Sequence, residues 1–204
     1  MTGAVARCSV FIAASLDGFI SRTNGSIDWL DEANTRVPDG EDCGYAQFMS
    51  TVDALVMGRH TFELAKSFGA WPYGRTPVFV LSSRMSSLPG DVPDTVRLSS
   101  EEPATLVARL SAQDMNHLYI DGGVTIQRFL ASGLIDEVTI TRIPVLIGSG
   151  RPLFGSLSQD VRLEHMSTRA FDFGFVQSKY RVVKAPSPLM QSAGRLRPAA
   201  DWER

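Results

Sequence analysis

The chain has 204 residues, a net charge of −2, and 44% hydrophobic and 21% charged residues. That length suits one domain with a full core, and the charge balance excludes a broad nucleic-acid surface, which needs clustered Lys and Arg. No apolar run reaches the roughly 18 residues that would cross a bilayer, so no membrane span is expected.

Residues 1–7 lack a charged segment followed by a long apolar stretch, so no signal peptide is read there. The two cysteines, Cys8 and Cys43, make neither a disulfide framework nor a metal site, and a reduced, cytoplasmic setting is expected. Residues 7–15 read as a buried strand whose small final residues permit close approach to the backbone, with a turn and short extension over 16–20. Residues 21–40 are rich in Gly, Asn, Asp and Pro and read as a long loop, of the kind used as a lid or substrate loop. Within it Trp29 either pins the loop to the core or touches substrate. A helix is expected over 41–51, with Glu41 and Asp42 in its first turn, where the helix dipole favours them. A strand at 53–57 and a helix at 59–68 follow, then a loop holding Trp71, Pro72 and Tyr73, a buried strand at 78–81 and a loop over 82–94. Residues 95–98 predict a short strand, 100–113 a helix, 117–121 a strand, and 123–132 a helix that stops at Gly133. Residues 137–143 are strand-like, 147–154 are a glycine-rich loop, and 161–170 and 175–183 alternate as half-buried strands about a turn at 172–174. Alternating strands and helices followed by a hairpin predict an α/β fold: a mostly parallel sheet with helices on both faces and an antiparallel C-terminal edge. One domain over 1–184 is expected, with 185–204, which hold three prolines and no period, as a tail or an arm on a partner subunit.

Two stretches carry chemistry. Asp53-Ala54-Leu55-Val56-Met57-Gly58-Arg59-His60-Thr61 and His117-Leu118-Tyr119-Ile120-Asp121-Gly122-Gly123-Val124-Thr125 each run from an apolar strand through glycine into a helix. Such a turn leaves backbone N–H groups and the positive end of a helix dipole facing a crevice, which suits phosphate. Two such turns, with Leu81-Ser82-Ser83-Arg84 after another strand, point to an extended phosphate-bearing ligand such as a dinucleotide. The three histidines, His60, His117 and His165, have no metal-ligand spacing, and no bound metal is expected.

Over roughly residues 7–183 the chain resembles the dihydrofolate reductase-like superfamily. Its Asp121-Gly122-Gly123, 129–137 and Pro144-Val145-Leu146-Ile147-Gly148-Ser149-Gly150 segments look like the reductase domain at the C-terminus of bifunctional riboflavin-biosynthesis deaminase–reductases. The resemblance implies a three-layer αβα fold and an NADPH-dependent reductase acting on a pterin- or pyrimidine-like heterocycle or a sugar-like small molecule. It implies that Ala14 and Ile20 border the nicotinamide, and that Gly58 and Thr61 face the pyrophosphate. Arg59, Ser82, Ser83 and Arg84 would serve the ribose phosphate, with Gly122, Gly123, Val124 and Thr125 on the pyrophosphate and nicotinamide side. Asp42 falls where dihydrofolate reductases carry the proton-handling acid, with Glu41 and Asp28 in competition, and Asp17, Asp28, Trp29 and Asp121 are candidate substrate contacts. Two departures stand against the riboflavin branch: Phe11 occupies a position that usually holds lysine there, and His60-Thr61-Phe62-Glu63 replaces its valine and paired-aspartate loop. The alternatives within the class are 5-amino-6-(5-phosphoribosylamino)uracil reductase and dihydrofolate reductase. An NADPH-binding module without turnover is the alternative outside it. A homodimer is expected from the same resemblance.

Overall fold

The computed structural model describes residues 5–184, so the expected tail at 185–204 lies outside the described residues. The elements run β1 (Arg7–Ser15), β2 (Phe19–Ser21), α1 (Asp28–Asn34), α2 (Tyr45–Met49), β3 (Ala54–Gly58), α3 (Arg59–Ser67), β4 (Val78–Leu81) and β5 (Val96–Ser99). They continue with α4 (Pro103–Ser111), β6 (His117–Asp121), α5 (Gly123–Ala131), β7 (Ile135–Ile143), β8 (Arg151–Pro152), β9 (Leu163–Ala170) and β10 (Val176–Val182). Eight strands form one sheet in the order β5-β4-β3-β6-β1-β7-β10-β9, and β2 pairs with β8 in a small second sheet. Every neighbouring pair from β5 to β7 is parallel, and the hairpin of β9 and β10 closes the edge antiparallel to β7. The mixed sheet expected from the sequence is therefore present.

Strand side chains alternate between faces, and two cores follow from that alternation. Cys8, Val10, Val56, Leu118, Ile120 and Ile140 point to one face and meet Leu106, Val107 and Leu110 of α4 and Ile126 and Phe129 of α5. Those helix positions recur at three- and four-residue spacing, the stripe that buries one side of a helix. Leu55, Met57, Val78, Val80 and Tyr119 point to the other face and pack against Phe62 of α3 and Tyr45 and Phe48 of α2. A smaller cluster joins that face at the β1–β7 end, where Trp29 and Ala33 of α1 pack on Ile143, Phe171 and Phe175.

Four local expectations need correction, the first being that 161–170 is half-buried: β9 lies at the sheet edge and all eight of its residues are exposed. Residues 21–40 contain helix α1 rather than a continuous loop; it forms because Trp29 and Ala33, four residues apart, bury one face of a seven-residue segment. The helix expected over 41–51 is only Tyr45–Met49, since Gly44 sits at φ +83 and Cys43 at φ +55 and no right-handed helix can run through them. The glycine-rich loop at 147–154 contributes β8 to the second sheet. The stop at Gly133 is as expected: its φ is +65, its N–H donates to the Leu130 carbonyl, and the Leu134 N–H donates to that of Phe129.

Candidate active site

β3 and β6 are adjacent, with Met57 opposite Asp121, yet the chain leaves them in opposite directions. From β3 it proceeds to β4, and from β6 it crosses β1 to β7. Neighbouring parallel strands whose connections diverge leave a crevice at their carboxyl ends, where α/β proteins bind ligands. Both glycine turns open into that crevice. Gly58 is the residue before α3 and Gly122 the residue before α5, and neither helix has a side-chain cap. The first-turn N–H groups of two nine-residue helices are thus left for a ligand to satisfy.

The turns also touch each other. A Cβ on Gly58 would lie 2.9 Å from Thr125 Oγ1, and one on Gly122 would strike Thr61 Oγ1. Gly122 has φ +87, which excludes other residues in any case. A Cβ on Gly123 would lie 2.8 Å from Ile20 Cδ1. Gly58, Thr61, Gly122, Gly123, Thr125 and Ile20 therefore form one contiguous group, and Val124 beside them is 71% exposed at the first turn of α5. Ala14, near the end of β1, is fully buried. Ser82 follows β4, whose Leu81 pairs with Gly58, and its hydroxyl accepts the N–H groups of Arg84 and Met85. Ser83 and Arg84 are exposed. Arg59 donates to Glu63 Oε1 at 2.9 Å on its own helix.

On the sheet face that carries α1 and α2 lies a cavity of about 530 Å³, lined by Phe11 and Ala13 of β1, Thr141 and Ile143 of β7, Leu30 and Asn34 of α1, Tyr45 of α2, Phe175 and residues 37–43. Of the five candidate acids, Glu41 lines the cavity and pairs with Arg169, and the other four differ sharply in state. Asp42 lines the cavity, but its carboxylate accepts the Ala46 and Gly44 N–H groups, which hold it below the usual carboxylate range. Asp28 is held low by Arg22, whose Nε lies 2.7 Å away, and by Ser26; it does not line the cavity. Asp17 takes the Ser15 hydroxyl at 2.6 Å and the Gly148 N–H at 2.8 Å, is held low by those bonds, and fixes the glycine-rich loop to the end of β1. Asp121 alone is raised: burial pushes its carboxyl up to about 6, against the Gly122 N–H that it accepts at 2.8 Å. Asp121 does not line the cavity, but it shares its sheet face with Tyr119, one strand from the lining residue Phe11. Burial and then the Asp121 charge push the Tyr45 hydroxyl up to about 12 and raise Tyr73 as well. Trp29 is 3% exposed in the cluster behind the cavity and is not part of its lining.

Sequence reading did not single out Phe11, Tyr45 and Thr141 as cavity walls, or Tyr73 beside Asp121. The available signal was the alternation that puts Phe11 and Ala13 on one face of β1. Among the described residues no group of His, Cys, Asp and Glu is placed to hold a metal ion, and no helix is long and apolar enough to cross a membrane.

Comparison with known proteins bears on the same region. Residues 8–177 match the RibD C-terminal domain family. Protein YwjB of Bacillus subtilis (strain 168), itself uncharacterized, is 37% identical over 169 residues, which span 79% of this chain and 90% of the relative. A crystal structure from Shewanella sp. PV-4, described as a candidate riboflavin biosynthesis protein, is 42% identical with a TM-score of 0.82, covering 87% of this chain and 99% of that one. Dihydrofolate reductase from Enterococcus faecalis, in complex with NADP(H), has a TM-score of 0.58 over 87% of this chain and 97% of its own; at 16% identity it speaks to the fold alone. With its parallel sheet, its antiparallel edge hairpin and a family match spanning most of its length, the chain belongs to the RibD C-terminal domain family, reductases built on the dihydrofolate reductase-like fold.

Proposed function

We propose that the protein is an NADPH-dependent reductase that delivers hydride to a C=N or C=O carbon of a small heterocyclic or sugar-like substrate. The observation that carries this reading is the position of Asp121. It is a carboxyl with a pKa of about 6 at the junction of two uncapped helix N-termini and on the sheet face of the cavity. A general acid works best with a pKa near the operating pH, and Asp42, held charged by backbone N–H groups, cannot offer a proton there. Asp121 is therefore read as the proton donor, directly or through one water, and Asp42 as a structural wall of the cavity.

The cofactor fits the residues present. The first-turn N–H groups of α3 and α5 supply donors for a pyrophosphate, with the Thr61 and Thr125 hydroxyls at the same junction. Arg59, Ser83 and Arg84 lie beyond the ends of β3 and β4, where a further phosphate on the ribose needs charge and hydroxyls together. When bound, the cofactor supplies the hydride. Ala14 and Ile20 would flank its ring, and Phe11, Tyr45 and Phe175 would hold the substrate while excluding water. A homodimer and a reduced, cytoplasmic setting belong to the same proposal.

The test is a titration of the protein with NADPH and NADH, followed by Trp fluorescence, for the native chain and for Arg59→Ala. Preference for NADPH is expected, and loss of a charge-assisted phosphate contact should reduce it by about tenfold or more while leaving NADH affinity unchanged. A preference that survives Arg59→Ala overturns the assignment of that residue. Absence of binding by either nucleotide overturns the reductase reading.

A further inference from the structure

The walls of the cavity differ in chemistry. Its inner wall is apolar and aromatic, with the Phe11 ring centroid 5.7 Å from that of Tyr45. Its charged lining side chains are Asp39, Glu41 and Asp42, all carboxylates; no Lys, Arg or His lines it. Arg169 reaches this rim but is committed, with Nη2 2.9 Å from Glu41 Oε2 and its guanidinium 4.1 Å above the Phe171 ring. The Gly44 and Ala46 backbone N–H groups beside the cavity wall at Cys43 and Tyr45 are taken by Asp42 itself. Asp39 makes no side-chain hydrogen bond or ion pair among the described residues and leaves its charge unbalanced.

From this we infer that the cavity takes an uncharged or cationic heterocycle and rejects one that carries a phosphate monoester. The inference rests on reading the cavity as the substrate side of the reductase. A monoester bears close to two negative charges and binds where Arg, Lys or free N–H groups converge. Here it would meet Asp39 and Asp42, exposed carboxylates without a cationic partner at the rim, and Glu41, whose charge Arg169 already offsets, with no cation left to receive it. A volume of about 530 Å³ accommodates a substituted ring system, so size does not exclude the phosphorylated compound. Charge is the discriminating property, and it separates this chain from reductases whose substrate is a 5-phosphoribosylamino pyrimidine. The aminopyrimidine ring can still lie against Phe11 and Tyr45, and its sugar, without the phosphate, can extend to the acidic rim.

The test uses a matched pair of probes, 5-amino-6-ribosylaminouracil and its 5′-phosphate, titrated calorimetrically into the full chain with saturating NADPH at low and high salt. The riboside should bind about tenfold or more tightly than its phosphate, and the gap should narrow as salt rises. In Asp39→Asn/Glu41→Gln, which removes two carboxylates and frees Arg169, the phosphate should gain affinity and the riboside should not. Equal or tighter binding of the phosphate by the native chain overturns the inference, as does a preference that the double variant leaves unmoved. Binding of neither probe also overturns it. The NADPH titration in the same experiment then separates the cases, since retained cofactor affinity means that the cavity assignment alone has failed and lost affinity means that the reductase reading has failed with it.

Discussion

Asp121 ends β6 and Asp42 lies in the connection between α1 and α2, and their surroundings drive the two acids in opposite directions. Asp121 is half-buried with one N–H donor, and desolvation penalises its charged form, so its pKa rises to about 6 from 3.8. The folded protein then binds more protons than the unfolded chain between these values, and stability falls as pH rises through that window, the whole penalty being present above pH 6. Asp121→Asn removes the charge and keeps an acceptor for Gly122. We expect it to raise stability by about 1–2 kcal/mol at pH 8 and to leave stability unchanged below pH 4. Turnover should fall by about 10²–10⁴-fold with NADPH affinity intact. Thermal denaturation at the two pH values and steady-state assays check both halves, and undiminished turnover would transfer the proton to another group. Asp42→Asn has the reverse sign. A carboxylate held low stabilises the fold above pH 3.8 and stops doing so as pH falls through its depressed value, so this variant should lose stability at neutral pH and lose little activity through protonation.

The unit that builds the proposed cofactor side is the strand–glycine–helix turn, and two glycines separate its geometry from ordinary chain reversal. Gly122 has φ +87 and ψ 136 and no room for a Cβ against Thr61, whereas Gly133 has φ +65 with nothing within 4 Å of its Cβ position. Gly133→Ala should cost about 1 kcal/mol, the ordinary penalty for a left-handed residue, and leave NADPH affinity unchanged. Gly122→Ala should cost about 2–3 kcal/mol and weaken NADPH at least tenfold, because the displaced turn moves the N-terminus of α5 away from that of α3. Denaturant melts and nucleotide titrations of the two variants decide this; equal effects on affinity would show that the turns act only as hinges. These turns were legible in the sequence because glycine after an apolar run has a local cause. Helix α1 was not, since its seven residues are held by the burial of Trp29 and Ala33 against β7 and the segment at 171–175, contacts that only the folded chain supplies. The same limit hid the role proposed for Asp121. Its residue type marked it as a turn former or a substrate contact, and only the desolvation that the folded chain imposes raises its carboxyl to about 6.

At the scale of the whole sheet the two edges are unequal. β5 is a four-residue edge with two of its residues buried, whereas β9 runs for eight residues and every one of them is exposed. Leu163, Met166 and the neighbouring Val176 of β10 are 43%, 39% and 38% exposed. A long edge strand with open backbone groups and apolar side chains is an invitation to pair, and native proteins blunt or cover such edges. A second copy covers it with the same chemistry from both sides, which gives the proposed homodimer a location. The native protein should therefore elute with light-scattering mass near twice 22.3 kDa, and Met166→Lys should shift it to the monomer without loss of helical signal. The proposed cofactor crevice lies at β3 and β6, with β1, β7 and β10 between β6 and β9. At about 4.8 Å per strand that is a separation of roughly 19 Å. NADPH affinity should accordingly be the same in monomer and dimer. A native protein that is monomeric at every concentration overturns the edge assignment. A Met166→Lys variant that stays folded but no longer binds NADPH would mean that the partner copy reaches the site, and that the crevice between the two glycine turns is complete only in the dimer.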